Sequence, residues 1–184
     1  MAADRSTPPD FSVIRALALD VDGVLTDGTF WWGPDGAEWK RFSFSDIMGL
    51  SLARRAGLVL ALISGENSPL VDRYAAKMQI QFAYKGCRDK ASAVRQFAAL
   101  TEIELAQICF MGDDENDLAA MRIAGLSAAP SNASRDVLAT VNFISRHAGG
   151  NGAVRELVEA ILTAKGFKAP EVFLMNEAPG SVSS

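Results

Sequence analysis

Short apolar runs alternate with amphipathic stretches along most of this chain. The runs are four to six residues long, the length of buried parallel strands, and they lie at 16–19, 58–63, 80–84, 107–111, 125–128 and 141–144. Between them, apolar residues recur three and four positions apart, as in amphipathic helices, at 47–56, 70–78, 91–100, 118–123 and 154–162. This alternation predicts an α/β domain with a parallel sheet and right-handed crossovers.

The segment 26–45 interrupts this alternation just after the first predicted strand. A turn signal, Gly33-Pro34-Asp35-Gly36, separates Phe30-Trp31-Trp32 from Trp39-Lys40-Arg41-Phe42, and this pattern predicts a projecting β-hairpin over about 28–43. All three tryptophans of the chain lie in it. The rings could pack back on the domain's own core. We expect instead that they dock on a neighbouring subunit, because a narrow hairpin cannot bury so much aromatic surface by itself.

Composition limits the class of protein. A length of 184 residues suits one domain, which we place at 11–168, between a flexible N-terminus at 1–10 and a flexible tail at 169–184 rich in Pro, Gly and Ser. A net charge of -4 with scattered Lys and Arg argues against nucleic acid as a partner. No stretch is long and apolar enough to span a membrane, no signal peptide is visible, and two cysteines make no disulfide framework. We therefore expect a cytoplasmic protein without a membrane partner.

Polar side chains follow three predicted strands where each strand ends. They are Asp20 and Asp22 after 16–19, Ser64 after 58–63, and Asp113, Asp114 and Asp117 after 107–111. Because ligands of parallel sheets gather beyond the carboxyl ends of the strands, we expect these side chains to meet at one edge. Two carboxylates about 4 Å apart repel by roughly 4 kcal/mol at an effective dielectric constant of about 20, so a divalent cation is expected among them. Oxygen ligands without His or Cys favour Mg²⁺ over Zn²⁺.

The aspartates at positions 20 and 22 can divide the chemistry of phosphate transfer. A turn at Gly23 can swing Asp22 over Asp20, so that one carboxylate holds the metal and attacks while the other faces the leaving group. An alkoxide leaving group needs a proton, which a carboxylic acid at Asp22 could supply. Once ionised, the same group could activate water against an aspartyl-phosphate. The pair therefore predicts a phosphatase with Asp20 as nucleophile and Asp22 as general acid and base.

The chain resembles the haloacid-dehalogenase superfamily from position 16 to about 166. The resemblance rests on four motifs in order: Asp20-Val21-Asp22-Gly23-Val24, Ser64, Lys90, and Gly112-Asp113-Asp114 with Asp117. It implies a Rossmannoid three-layer fold with Mg²⁺ as cofactor. By the same resemblance, Asp20 and Asp113 ligate the metal directly, Asp22 ligates it through its main-chain carbonyl, and Asp114 and Asp117 support the site. Ser64, with Gly65, would bind the phosphoryl group, and Lys90 would balance its charge.

A cap domain, which many members of this superfamily close over the site, has no room here. Only the hairpin separates the first motif from the first predicted helix, and one helix and one strand fill the stretch from Ser64 to Lys90. An uncapped site is open to water, so either the substrate is large or another subunit supplies the lid. The segments 20–28, 36–42 and 149–156 resemble the capless branch that hydrolyses phosphorylated 3-deoxy-2-ulosonic acids. This resemblance implies a homotetramer whose hairpins help cover neighbouring sites.

The substrate implied by this branch is a small sugar phosphate of eight or nine carbons. One group acts on 3-deoxy-D-manno-octulosonate 8-phosphate, on the route to lipopolysaccharide, and a sister group acts on keto-deoxynonulosonate 9-phosphates, close to sialic acid synthesis. Ser64-Gly65-Glu66 resembles the sister group, where octulosonate enzymes have Thr-Gly-Arg. Arginine would pair with a substrate carboxylate, whereas Glu66 would accept hydrogen bonds from sugar hydroxyls. Lys77 either matches a substrate-binding lysine of the sister group or is a solvated helix residue.

Two alternatives to this specific phosphatase stay open. One is a non-catalytic tetramerisation domain related to that of CMP-sialate synthetases, because a fold alone does not decide function. The other is a phosphatase of the same superfamily with broader sugar-phosphate specificity. A non-catalytic domain has no need for Asp20, Asp22, Lys90 and Asp113 together, and all four are present, so we expect an enzyme.

Overall fold

Eight short strands are present in the computed structural model, which describes residues 9–175, and six of them form one parallel sheet. The strands are β1 (Ala16–Leu19), β2 (Trp31–Trp32), β3 (Glu38–Trp39), β4 (Val59–Ile63), β5 (Phe82–Tyr84), β6 (Ile108–Met111), β7 (Leu126–Ala129) and β8 (Phe143–Ile144). The main sheet has the order β5-β4-β1-β6-β7-β8, and every neighbouring pair in it is parallel. The α/β prediction is therefore confirmed, and β1, β4 and β6 lie side by side at the centre.

Seven α-helices connect and cover these strands. They are α1 (Phe44–Arg55), α2 (Pro69–Met78), α3 (Lys90–Thr101), α4 (Leu118–Ile123), α5 (Arg135–Thr140), α6 (Ala153–Ala164) and α7 (Ala169–Leu174). Short 3-10 turns occur at Phe11–Val13, Leu105–Gln107 and Glu115–Asp117. The amphipathic pattern located five of these seven helices, including the six-residue α4, and missed α5 and α7. No helix within the described residues is long and apolar enough to cross a membrane.

The sheet has a hydrophobic core on each face, which makes the fold three layers. On one face, Leu17 and Leu19 pack with buried residues of α1, α2, α6 and α7. On the other, Ala16 and Ala18 pack with residues of α3, α4 and α5. The alternation follows from the period of two along a strand. All four residues of β1 are fully buried, so β1 is the central strand from which the site loops start.

Helices α1 and α6 are joined by a buried carboxylate. Asp46, in the first turn of α1, is fully buried and accepts hydrogen bonds from the backbone N–H groups of Gly152 (3.0 Å) and Arg155 (3.1 Å). It thus satisfies N–H groups that the start of α6 would otherwise leave unpaired. A Cβ atom at Gly49 would lie 2.8 Å from the Cα of Arg155. The two helices therefore approach more closely than a larger residue at position 49 would allow.

The hairpin is present, and its aromatic rings do not pack on the chain's own core. Strands β2 and β3 pair in antiparallel fashion, with Trp31 opposite Trp39. The exposed fractions are 55% for Trp31, 71% for Trp32 and 56% for Trp39. Within residues 9–175 nothing covers these rings. The alternative that these rings pack back on the domain's own core is therefore wrong for the single chain.

The chain is ordered further toward its C-terminus than its composition indicated. Helix α7 occupies the start of the segment that we expected to be a flexible tail, and Val172 in that helix is fully buried in the core beneath α1. The burial of Val172 and the contact with α1 stabilise a helix here although the segment is rich in Pro. The remaining tail and the N-terminal residues 1–8 lie outside the described residues, so the expectation of flexibility there stays a prediction.

Candidate active site

Three neighbouring strands bring their polar C-terminal residues to one edge of the sheet. Leu19 at the end of β1 is in register with Leu62 of β4 and with Met111 of β6. Asp20, Ser64 and Asp113 follow these strand ends and therefore lie at the same edge. The Asp20 N–H donates to the carbonyl of Met111 over 2.9 Å, which continues the pairing past the last residue of the strand.

Lys90 is the buried cation of this edge. It is the first residue of α3, its side chain is 2% exposed, and its Nζ lies 2.7 Å from Oδ1 of Asp20 and 2.6 Å from Oδ1 of Asp117. Burial by itself lowers the pKa of this ammonium, but the two carboxylates outweigh burial and raise it. Lys90 is thus a permanent positive charge that ties α3 to two site loops.

One ammonium does not neutralise the carboxylates around it. Oxygen atoms of Asp20, Asp113 and Asp117 all lie within 4.8 Å of one another. Burial, followed by the charge of Asp117, raises the pKa of Asp20 to about 8 and that of Asp113 to about 7. A divalent cation would offset the negative charge that Lys90 leaves, and the all-oxygen donor set fits Mg²⁺.

Asp117 differs from the other two members because both of its oxygens are already engaged. Oδ1 pairs with Lys90, and Oδ2 accepts hydrogen bonds from the N–H groups of Asp113 (2.9 Å) and Asp114 (3.3 Å). A Cβ atom at Gly112 would lie 2.4 Å from the carboxyl carbon of Asp117, so only glycine lets this carboxylate fold back on its loop. Asp20 and Asp113 are left as the carboxylates that could hold a metal directly. Asp117 holds the loop, while the exposed Asp114 caps the 3-10 turn through the N–H of Glu115.

Asp22 is separated from this cluster by a backbone turn and pairs with a different cation. Its Oδ1 lies 2.9 Å from the Nζ of Lys40, and its Oδ2 is buried with no hydrogen-bond partner among residues 9–175. Gly23 has a φ of +92°, and a Cβ atom there would lie 2.0 Å from a carboxylate oxygen of Asp113. Glycine is therefore required at this turn on both conformational and steric grounds. The turn leaves one free carboxylate oxygen of Asp22 beside the acidic cluster.

Ser64 lies at the end of β4 with its hydroxyl inside the site. The side chain is 1% exposed, and Oγ accepts the N–H of Glu66 over 3.1 Å, so the hydroxyl proton is free to be donated. Gly65 and Glu66 follow on the surface. The Ser64 backbone is fixed on both sides, since its N–H donates to Tyr84 and its carbonyl accepts from Cys87. This arrangement offers a donor and a polar rim where an anion could bind.

Lys77 is not brought to this cluster within one chain. It is exposed in the last turn of α2, eight residues beyond Pro69 and therefore about 12 Å along the helix axis. Helix α2 leaves the carboxyl edge of the sheet at Pro69 and runs back toward the start of β5. A contact of Lys77 with substrate would have to be made in a neighbouring subunit.

Lys40 is a member of the site that sequence reasoning missed. Its distance of twenty residues from the first motif gave no reason to pair it with Asp22. The available signal was its place in 36–42, one of the segments that resemble the capless branch. The structure shows a lysine side chain only 5% exposed and held between Asp22 and Glu38.

Comparisons with known proteins agree with this geometry. A family model described as haloacid dehalogenase-like hydrolase matches residues 76–157, a range that contains Lys90 and Asp113. The 3-deoxy-D-manno-octulosonate 8-phosphate phosphatase KdsC of Escherichia coli strain K12 is 35% identical over 153 residues, which make up 83% of this chain and 81% of that protein. The corresponding KdsC of Yersinia pestis is 34% identical over 152 residues, with the same shares covered.

Solved structures resemble the fold over nearly its whole length. One is a 3-deoxy-D-manno-octulosonate 8-phosphate phosphatase from Moraxella catarrhalis in complex with magnesium, phosphate and KDO, with 37% identity, a TM-score of 0.83, and coverage of 85% of this chain and 90% of that one. Another is the cobalt-bound deoxy-D-mannose-octulosonate 8-phosphate phosphatase of Haemophilus influenzae, with 31% identity, a TM-score of 0.85, and coverage of 90% and 99%. Both bind a divalent metal, as the acidic cluster here predicts for this chain.

Mg²⁺ affinity is expected to increase as the pH rises from about 6 to about 8. Burial and mutual repulsion raise the pKa of Asp20 to about 8 and of Asp113 to about 7, so below those values protons occupy the oxygens that would ligate the metal. Binding should therefore release protons. Isothermal titration calorimetry at several pH values, in two buffers of different ionisation enthalpy, measures both the affinity and the number of protons released. An affinity independent of pH would contradict this account, and Asp136→Asn, on the exposed face of α5, is the matched control.

Proposed function

We propose that this chain removes the 8-phosphate from the eight-carbon sugar acid 3-deoxy-D-manno-octulosonate 8-phosphate. The chain belongs to the haloacid dehalogenase-like phosphatases of the 3-deoxy-D-manno-octulosonate 8-phosphate phosphatase family. The protein is a phosphatase, and Mg²⁺ is its cofactor. The observation that carries the proposal is the meeting of Asp20, Lys90 and Asp113 at one edge of the sheet, with Asp22 on the turn that follows Asp20. The relatives named above act on the eight-carbon substrate, which favours it over the nine-carbon alternative.

Asp20 is the proposed nucleophile. An oxygen of its carboxylate attacks the phosphorus atom, so that the bond between Asp20 and phosphorus forms while the bond to the sugar oxygen breaks. Lys90, at 2.7 Å from Asp20, holds this carboxylate in place through the reaction. Asp20, Asp113 and the main-chain carbonyl of Asp22 would hold Mg²⁺, which would supply positive charge to balance the phosphoryl oxygens.

Asp22 is the proposed general acid and then general base. Its carboxyl group gives a proton to the departing sugar oxygen, which leaves as a neutral hydroxyl. The ionised carboxylate then takes a proton from a water molecule whose oxygen attacks phosphorus. The bond to Asp20 breaks, inorganic phosphate leaves, and Asp22 regains its proton. Every bond and proton in the two steps is accounted for by groups of the chain, the substrate and one water molecule.

Ser64 and Gly65 are proposed to bind the phosphoryl oxygens, and Glu66 to contact the sugar. The Ser64 hydroxyl has a proton to donate, because its oxygen already accepts from the N–H of Glu66. Glu66 itself is exposed at the mouth of the site. A non-catalytic assembly domain would require none of this arrangement. Broader sugar-phosphate specificity is an outcome that the experiments below distinguish.

Phosphate release from 3-deoxy-D-manno-octulosonate 8-phosphate is expected to require both Mg²⁺ and Asp20. In Asp20→Asn the nucleophile is lost while the shape of the side chain is kept, so turnover should fall at least about 10³-fold. A phosphate-release assay with and without a chelator measures both effects. Asp136→Asn serves as the control and should match the wild type. Turnover that persists in Asp20→Asn would exclude Asp20 as the nucleophile.

The preference between eight-carbon and nine-carbon substrates is expected to depend on Glu66. Glu66→Arg should shift kcat/KM toward 3-deoxy-D-manno-octulosonate 8-phosphate relative to a keto-deoxynonulosonate 9-phosphate, because a carboxylate at this position can accept a hydrogen bond from the extra hydroxyl of the longer acid and a guanidinium cannot. A change in the ratio of about tenfold corresponds to one good polar contact. The measurement is a comparison of both substrates in wild type and variant. If the wild type hydrolyses neither above simple sugar phosphates, the enzyme has the broader specificity instead.

A homotetramer is proposed, with the hairpin as its contact surface. The exposed rings of Trp31, Trp32 and Trp39 form an apolar surface of the kind that subunit interfaces bury. The free thiols Cys87 and Cys109 suit the reducing cytoplasm, where we place the enzyme.

Light scattering is expected to give four times the 19.6 kDa mass of one chain. The double substitution Trp31→Ser with Trp32→Ser should yield a smaller species, because it removes most of the apolar hairpin surface. Phe173→Ser, at another exposed aromatic residue in α7, is the matched control and should leave the mass unchanged. A wild-type monomer would rule out a lid supplied by a neighbouring hairpin.

A further inference from the structure

We propose that Lys40 of the hairpin is a positioning residue, which fixes the orientation of the Asp22 carboxyl group. This role rests on the proposed function, because it concerns the proton transfer assigned there to Asp22. It adds a residue from outside the four motifs to the reaction. It also means that each chain's hairpin contributes to its own site, whatever else it contacts.

The ion pair with Lys40 is the one side-chain contact that the described residues show for the Asp22 carboxyl group. Oδ1 lies 2.9 Å from the Nζ of Lys40, whereas Oδ2 is buried with no partner in the described part of the chain. A carboxylate anchored at one oxygen cannot rotate freely about its last side-chain bond. The Asp22 carboxyl group is then held in one orientation for the proton transfer assigned to it.

Lys40 is itself held in place by a second carboxylate. Its Nζ lies 3.5 Å from Oε1 of Glu38, and the hydroxyl of Ser68 donates to that same oxygen over 3.4 Å. The indole N–H of Trp32 donates to Oε2 of Glu38 over 3.4 Å. Ser68 caps the start of α2, the helix that follows the Ser64 loop. The hairpin is therefore braced against the loop that is proposed to bind phosphate.

The two carboxylates keep Lys40 charged although its side chain is enclosed. The Lys40 side chain is 5% exposed, whereas those of Asp22 and Glu38 are 30% and 33% exposed. Burial by itself lowers the pKa of this ammonium, but Asp22 and Glu38 outweigh burial and raise it. Arg41, the next residue, shows the contrast. Its guanidinium is about half exposed and donates to Asp27 and Asn151, away from Asp22.

A dependence on the leaving group distinguishes positioning of Asp22 from general support of the fold. Departure of an alkyl sugar oxygen needs a proton from Asp22, whereas para-nitrophenolate leaves readily without one. The value of kcat/KM reports the steps up to the first irreversible one, here the cleavage of the bond between phosphorus and the leaving group. Loss of proton donation therefore lowers kcat/KM for the sugar phosphate and spares the aryl phosphate.

The experiment compares Lys40→Met with the wild type on 3-deoxy-D-manno-octulosonate 8-phosphate and on para-nitrophenyl phosphate, both with saturating Mg²⁺. We expect kcat/KM to fall about 10- to 100-fold for the sugar phosphate and less than about threefold for the aryl phosphate. Arg41→Met is the matched control, since it also removes one cation and one ion pair from the hairpin. Its ratio between the two substrates should equal that of the wild type.

Equal losses on both substrates, or no loss on either, would overturn the role of Lys40. If Lys40→Met does not fold, Glu38→Gln replaces it, because this variant keeps Lys40 and removes the charge that holds it. The same selective loss is then expected at smaller size, and its absence overturns the proposal. The wild type tests the proposed function separately. If it hydrolyses another alkyl phosphate instead of the octulosonate, the substrate proposal fails and the comparison of leaving groups is made with that substrate.

Discussion

Concentrated negative charge at one edge of the sheet is the constraint on which the rest of this structure depends. Two neighbouring parallel strands, β1 and β6, deliver Asp20 and Asp113 to the same place, and Asp117 returns to it from the following turn. Buried carboxylates so close together are tolerated only when cations or protons balance them. Lys90 supplies one charge from the start of α3 and touches both Asp20 and Asp117. Burial, followed by the charge of Asp117, raises the pKa of both Asp20 and Asp113.

Close backbone packing keeps this cluster in place. Gly23 and Gly112 each stand where a Cβ atom would collide with a carboxyl group of the site, and a Cβ atom at Gly149 would lie 1.7 Å from the carbonyl oxygen of Gly23. The loops after β1, after β6 and before α6 therefore interlock through positions without side chains. Asp46 extends this link by joining α1 to the start of α6. The site is held by rigid loops between well-packed helices, which suits a reaction that depends on fixed distances.

The hairpin carries both exposed rings and an inward-facing ion pair. Its tryptophan rings are exposed in the single chain, whereas Lys40 and Glu38 turn inward toward Asp22 and Ser68. Along β3, the period of two sends Trp39 to the side opposite Glu38. A short insertion of about twenty residues thus carries both the surface proposed for assembly and a partner of the proposed acid and base.

The sequence by itself determined the α/β class, all six strands of the main sheet, five helices, the hairpin and the acidic residues at the strand ends. These features depend on local periodicity and on the rule that parallel strands end at a common edge, so they can be predicted from neighbouring residues. Only the tertiary structure decided that Lys40 pairs with Asp22 and that both carboxylate oxygens of Asp117 bind protein partners. The tertiary structure also decided that Lys77 lies away from the cluster and that α7 packs on the core. Each of these facts depends on contacts between residues distant in the chain or on the length and direction of a helix. Patterns of neighbouring residues carry no information about which buried charge meets which.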